Sequence, residues 1–171
     1  PVMVVADGMI CQMMEPVVLP EMKEYKVDLE KKPWAANGHG FSKKSGRTII
    51  NSMYIETEDL SRHNENLQAT YREIEKNEVR YEAYNLEGAE IVVTAFGTVA
   101  RIAKSAIDEL KDEGINIGLL RPITLWPFPY KELHDAGTAP GVKAVLDVEL
   151  NAGQMLEDVK LAMNGDNKVD F

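Results

Sequence analysis

A single cysteine, Cys11, stands in a chain of 171 residues. It excludes any internal disulfide and fits a reducing compartment. No apolar run reaches the ~18 residues that a transmembrane helix needs. The chain does not open with a basic stretch and an apolar signal core. Positive charge is short: 19 Lys and Arg stand against 28 Asp and Glu, a formal net charge of -9. That balance argues against non-specific nucleic-acid binding and against an anionic membrane surface. A cytoplasmic location is the expectation. There is no Ser/His/Asp order, no metal-ligand spacing and no P-loop. No internal repeat or low-complexity tract occurs.

What is there suits a globular core. The composition is 44% hydrophobic and 27% charged, enough to bury apolar surface without staples. The chain is organised around Glu90 to Pro129. Ile91 to Phe96 is a short apolar run of the kind that forms a strand buried on both faces. Gly97 permits a tight turn, and Thr98 is predicted to cap the next helix through its hydroxyl. Val99, Ile102, Ala103, Ala106, Ile107 and Leu110 fall at helical spacing, with Arg101, Lys104, Asp108, Lys111 and Asp112 on the wet side. Gly114 stands where a left-handed C-cap belongs. Ile115 to Leu120 supplies a second buried strand. The pattern predicts a right-handed βαβ crossover with parallel strands.

On the amino-terminal side, Val2 to Ala6 is apolar and ends in the Asp7-Gly8 turn. Met9 to Glu15 reads as a short helix stopped near Pro16, with Met9, Met13 and Met14 as core methionines rather than metal ligands. Pro20 to Ser52 lacks a period and reads as a surface linker anchored by Trp34. His39, between glycines, is a loop histidine in preference to a ligand or base. Thr57 starts a long acidic helix, to about Asn77, whose apolar face carries Leu60, Leu67, Tyr71 and Ile74. His63 reads as a packing residue. Val79 to Tyr84 alternates like a half-exposed strand. Leu86-Glu87-Gly88 is too short for a crossover, so this strand is placed as an antiparallel edge beside Ile91 to Phe96.

On the carboxyl-terminal side, Pro122, Pro127 and Pro129 forbid a regular ladder. Trp126 and Phe128 between them form a rigid aromatic projection. Tyr130 to Ala136 is a short helix, and Lys143 to Val148 is a third buried strand. Asn151 and Gln154 have the spacing of a capping box before a helix carrying Met155, Val159, Ala162 and Met163.

In an open parallel sheet, ligands and partners meet the carboxyl ends of the strands. The candidate residues there are Gly97, Thr98, Arg121, Trp126, Phe128, Glu149, Asn151 and Gln154. Gly97-Thr98 opens a helix N-terminus that suits an anion, though one glycine makes no phosphate loop. Arg121 and Glu149 are placed as an ion pair between neighbouring strands.

Three stretches carry a family resemblance. They are Ala95 to Ala106 (AFGTVARIAKSA), Gly118 to Pro129 (GLLRPITLWPFP) and Glu149 to Met155 (ELNAGQM). Together they resemble the α subunit of 2-oxoacid:ferredoxin oxidoreductases, in the region similar to the C-terminal domain of transketolase. Asp7-Gly8 with Gln12 to Pro16 resembles the close of an upstream pyrimidine-binding-type domain. Pro33-Trp34, Arg47 to Ser52 and Arg62 to Asn64 resemble the connecting segment, and Arg80 to Glu82 the edge strand. The fit favours the 2-oxoisovalerate type, with the 2-oxoglutarate type as rival.

The resemblance implies an enzyme that decarboxylates a 2-oxoacid on thiamine diphosphate and passes electrons through iron–sulfur clusters to ferredoxin. The acyl group goes to coenzyme A. It implies a thiamine diphosphate-binding β subunit and iron–sulfur/γ subunits as partners. No catalytic, cofactor-binding or metal residue of the family carries onto this chain, whose implied role is assembly. The chain by itself is expected to be inactive.

The fold expected is three-layer α/β/α with a mixed, mostly parallel sheet. Residues 1–19 are expected to be the tail of an upstream domain. Residues 20–78 form a linker with one long helix, and 79–171 a transketolase C-terminal-like domain truncated at its end. The apolar start and the strand-like ending at Val169 suggest a piece of a longer polypeptide. Two rival readings are a stand-alone anion-binding regulatory module and a transketolase-like enzyme outside the ferredoxin group.

Overall fold

The computed structural model describes residues 2–26, 28, 31–32, 34–35 and 51–171. The chain divides into two compact units. One joins Pro1–Met14 to Thr70–Phe171, and the other is Glu15–Ala69. His39, and Pro33 and residues 47–50 of the quoted connecting segment, lie outside the described residues.

The first unit is built on a five-stranded sheet. Its strands are β1 (Tyr81–Tyr84), β2 (Ile91–Thr94), β3 (Ile117–Pro122), β4 (Ala144–Asp147) and β5 (Val169–Asp170), in the order β1-β3-β2-β4-β5. β1 is antiparallel to β3, and the other pairings are parallel. The helices are α1 (Thr57–Asn77), α2 (Gly97–Asp112), α3 (Tyr130–Gly137) and α4 (Leu156–Met163).

Strand alternation sorts the core into two layers. Val92, Leu120 and Val145 face one way and pack with Phe128, Leu133, Met155, Val159 and Met163, from α3, α4 and the turns before them. Val93 and Leu119 face the other way, against Ala100 and Ile107 of α2. The result is the expected α/β/α sandwich with a mixed, mostly parallel sheet.

The antiparallel edge strand is present, but its neighbour differs from the expectation. β1 lies beside β3, not β2. The connection from β1 to β2 passes across β3 at Gly118. A Cβ there would come within 2.7 Å of Leu86 Cδ2 and 2.9 Å of Leu86 Cα. Only a residue without a side chain lets the two backbones approach so closely. Asn85 fastens the crossing by donating to Asn116 Oδ1 at 2.8 Å and to the Ile117 carbonyl at 2.7 Å.

Other local expectations are refined. α2 turns Val99, Ala100, Ala103, Ile107 and Leu110 inward, while Ile102 and Ala106 are exposed. The stripe read from the sequence was wider than the face one sheet can cover. At the helix end, the Gly114 N–H bonds the Lys111 carbonyl and the Ile115 N–H bonds that of Leu110. Gly114 has φ +85, as a C-cap requires. Pro122 is the last residue of β3, where a missing N–H interrupts no further ladder. The segment after Asp7 forms only a 3-10 turn, Ile10–Gln12. Met9, Met13 and Met14 are exposed instead of core. Val2 to Ala6 forms no strand and is exposed.

In the second unit Trp34 is 65% exposed and so does not anchor the segment. The Lys32 ammonium lies 5.8 Å from its ring centroid. His63 is a packing residue, stacked on Tyr54 with ring centroids 4.6 Å apart. α1, whose residues up to Ala69 belong to this unit and the rest to the first, has the predicted bounds, and none of its residues is buried.

Candidate functional site: the carboxyl edge of the sheet

β2, β3 and β4 end in Thr94, Arg121-Pro122 and Asp147. Thr94 shares a face with Val92, and Asp147 with Val145, both towards α3 and α4. Arg121 shares a face with Leu119, towards α2. β2 also lies between β3 and β4. The two facts together overturn the predicted pairing of Arg121 with Glu149.

Arg121 instead meets Glu82, its register partner on β1. Arg121 Nη1 donates to Glu82 Oε2 at 3.0 Å, and Lys104 of α2 donates to Glu82 Oε1. The Lys104 contact, and after it Arg121, hold the Glu82 carboxyl below its ordinary range. Arg121 Nε is buried without a partner.

Glu149 has a different task. Its Oε1 accepts the Met155 N–H at 2.8 Å and the Leu156 N–H at 3.1 Å. A carboxylate at a helix N-terminus satisfies orphan amides and complements the helix dipole. Of the predicted Asn151/Gln154 capping box only the Asn151 half is made, and it lies before α4, which starts at Leu156. Asn151 folds its own turn, its Oδ1 accepting the Gly153 and Gln154 N–H groups at 2.9 and 2.8 Å. It also donates to Glu149 Oε2 at 2.8 Å. The acceptor at the start of α4 is thus Glu149 and not Asn151.

The N-terminus of α2 does receive an anion, from within the chain. The Thr98 hydroxyl donates to Asp7 Oδ2 at 2.8 Å, so Thr98 makes no cap of its own. Asp7 Oδ1 accepts the Ile10 N–H at 2.8 Å. The Ile10 amide, followed by the Thr98 hydroxyl, holds the Asp7 carboxyl below its usual range. Gly97, at φ +58, makes the turn beside this carboxylate.

The predicted aromatic projection is split. Phe128 is 4% exposed and belongs to the core with Leu133 and Val145, so it offers nothing to a partner. Trp126 is 55% exposed and meets Tyr71 of α1 edge-on, with centroids 5.5 Å apart. Ile123 and Leu125 beside it are also exposed.

Sequence reading missed Thr94 and Asp147. They are register partners on β2 and β4. Both are at most 2% exposed, and neither the Thr94 hydroxyl nor either Asp147 oxygen has a hydrogen-bond partner. Burial first, and then the nearby Glu149, push the Asp147 carboxyl up to about 7. The available signal was a polar residue inside each apolar run, in IVVTAF and KAVLDV.

These residues do not fit an iron–sulfur cluster. The chain has one cysteine, exposed at Cys11, where cluster ligation takes several. Among the described residues no three His, Cys, Asp or Glu side chains are gathered to hold a metal ion. A diphosphate does not fit the N-terminus of α2, which the Asp7 carboxylate already fills. Among the described residues no helix is long and apolar enough to cross a membrane.

Comparison with known proteins gives the same picture from another side. Residues 89–171 match the family of pyruvate:ferredoxin oxidoreductase core domain II. The chain is 41% identical over 163 residues to ketoisovalerate oxidoreductase subunit VorB of Methanothermobacter marburgensis, covering 95% of this chain and 44% of that protein. It is 28% identical over 179 residues to 2-oxoglutarate synthase subunit KorA of Methanocaldococcus jannaschii, covering 94% of this chain and 47% of that protein. The chain thus spans less than half the length of these relatives. A solved 2-oxoglutarate:ferredoxin oxidoreductase from Magnetococcus marinus, with 2-oxoglutarate, coenzyme A and succinyl-CoA bound, shares the fold. Its TM-score is 0.50 at 20% identity, over 74% of this chain and 21% of that one. Sequence motifs, sheet order and relatives converge: the chain belongs to the family of 2-oxoacid:ferredoxin oxidoreductase subunits.

Proposed function

We propose that this chain is part of the α-type subunit of a ketoisovalerate:ferredoxin oxidoreductase and serves its assembly. The observation that carries the substrate type is the 41% identity to VorB over 95% of the chain, against 28% to KorA over a similar span. In the assembled enzyme a branched-chain 2-oxoacid is oxidatively decarboxylated to an acyl-CoA. Thiamine diphosphate, iron–sulfur clusters and the ferredoxin contact are supplied outside these residues. Residues 79–171 are the transketolase C-terminal-like domain, 20–78 a linker carrying α1, and 1–19 the tail of a preceding domain. The location is cytoplasmic.

The assembly role rests on the state of the carboxyl edge. Asp7, Glu149 and Arg121 are each taken up by contacts within the chain. An exposed apolar group lies beside them, formed by Tyr71, Ile123, Leu125 and Trp126. Exposed aromatic anchors of this kind suit a partner subunit. The purified chain, given 2-oxoisovalerate, coenzyme A, thiamine diphosphate and a viologen dye, is expected to give no turnover, and turnover would refute the reading. Trp126→Ala in the assembled enzyme is expected to weaken co-purification of the other subunits while leaving this chain's own melting temperature nearly unchanged. An equal loss of fold stability would assign Trp126 to the chain's own packing.

A further inference from the structure

Asp147 plays no part in the assembly reading, yet it is the most unusual polar group in the domain. It closes β4 at 2% exposure, with no hydrogen-bond partner on either oxygen. Its register partner, Thr94, is neutral. On β5, Asp170 stands opposite Leu146, one residue away, and is held by Lys168 at 2.6 Å. Arg121 lies on the other face of the sheet, engaged with Glu82. α4 presents backbone amides, and these are bound by Glu149. Glu149 is thus the charged group that acts on Asp147, and it carries the same sign.

An ionised carboxylate buried without a cation or donor costs far more than one that keeps its proton. Two carboxylates in one site cannot both ionise freely. One takes the proton, and the more buried one is the natural holder. Glu149 is the acceptor for the first amides of α4.

We propose that Asp147 is a proton-holding positioning residue: neutral in the folded domain, it lets the adjacent Glu149 clasp the N-terminus of α4, so that the loop 149–155 closes only while the proton is in place. When the proton leaves, repulsion is relieved by displacing the less buried partner, Glu149. The Met155 and Leu156 amides then lose their acceptor. The rest of α4 stays seated through Val159 and Met163, both buried. The height of the Asp147 titration, about 7, puts this opening near neutral pH.

The test is amide hydrogen exchange of Met155 and Leu156 in the 171-residue chain, corrected for intrinsic rates, from about pH 6 to about pH 9. Protection of these two amides is expected to fall about tenfold per pH unit above the Asp147 midpoint. In Asp147→Asn the two protections are expected to be flat across the range. A variant curve that follows the wild type would overturn the proposal, as would a flat wild-type curve. Where Asp147→Asn does not fold, a carboxyl carbon NMR titration of the wild type decides, and an Asp147 midpoint in the ordinary aspartate range refutes it. Glu149→Gln keeps the acceptor and removes the charge, so it is expected to lower that midpoint. An unchanged midpoint breaks the link between the two residues. Recovery of protection at high pH on adding Mg2+ or Ca2+ means that a cation, not a proton, neutralises the pair, and that also overturns the proposal.

Discussion

Glu82 is the hub of the α2 face, and its removal makes a quantitative test. It bridges Lys104 and Arg121, and the three side chains are 35%, 29% and 38% exposed. Solvent at this level screens the pairs, so each contact is worth about 0.2–1 kcal/mol and not the larger figure of a buried pair. Glu82→Ala loses both contacts and leaves two cations facing each other. It is expected to cost about 1–2 kcal/mol, read as a shift in the urea midpoint at constant slope. A double-mutant cycle of Glu82→Ala with Arg121→Ala is expected to show a coupling of about 0.5–1 kcal/mol. The cycle of Arg121→Ala with Glu149→Ala is expected to be additive, because β2 lies between their strands and they belong to opposite faces. The Glu82 contribution also has a defined pH dependence. Its folded pKa is lowered from 4.5, so the stabilisation is present above the unfolded value and is lost as pH falls through the folded one. Coupling between Arg121 and Glu149, or a neutral Glu82→Ala, would refute the account of this edge.

Further outcomes follow from single positions. Gly118→Ala is expected to destabilise by about 1–3 kcal/mol in urea unfolding, because the added methyl meets Leu86 backbone, while Gly8→Ala, with open space, is expected to be nearly silent. Glu149→Ala is expected to cost about 1–2 kcal/mol by uncapping α4, and more than Asn151→Ala, which frees only its own turn. Asp7→Ala is expected to release the 3-10 turn, seen as earlier proteolysis between Val2 and Met14, with the melting of the sheet domain little changed. Asp147 acts in the opposite sense to Glu82. Its folded pKa is raised from 3.8 to about 7, so stability is full below the unfolded value and falls as pH rises through the folded one. Asp147→Asn is expected to remove that decline, which is on the order of 2–4 kcal/mol by pH 8, in melts run across pH.

Much of the fold was legible because its signals are local. The apolar runs of β2 and β3, the Gly114 stop and the Thr57 to Asn77 helix each depend on a few adjacent residues. The resemblance located the family from short motifs for the same reason. The place of β1 was not legible, since it depends on Leu86 crossing a strand some thirty residues later in the chain. Gly118 was the available clue, as a glycine inside an otherwise buried strand. Partner choice at the carboxyl edge failed in the same way. Arg121, Glu149 and Thr98 were all picked out, but the partners they take are Glu82, the α4 amides and Asp7. Which face each side chain takes follows from strand register, and register is a property of the sheet rather than of any one segment.

Those partner choices bear on what the edge is for. A catalytic edge keeps charged groups poised at the solvent with perturbed titration and a route for substrate. Here the helix N-terminus suited to an anion holds Asp7, the carboxylate nearest the loop holds α4, and the cation at the end of β3 holds Glu82. The group with the most perturbed titration, Asp147, is buried beside an equally buried Thr94. Each of these arrangements fixes a helix or loop against the sheet. The side chains left at the surface beside them, Ile123, Leu125 and Trp126, are apolar. An edge whose charged groups hold its own scaffold, and which carries an exposed apolar group beside the exposed amides Asn151 and Gln154, is better suited to docking protein than to binding a charged substrate.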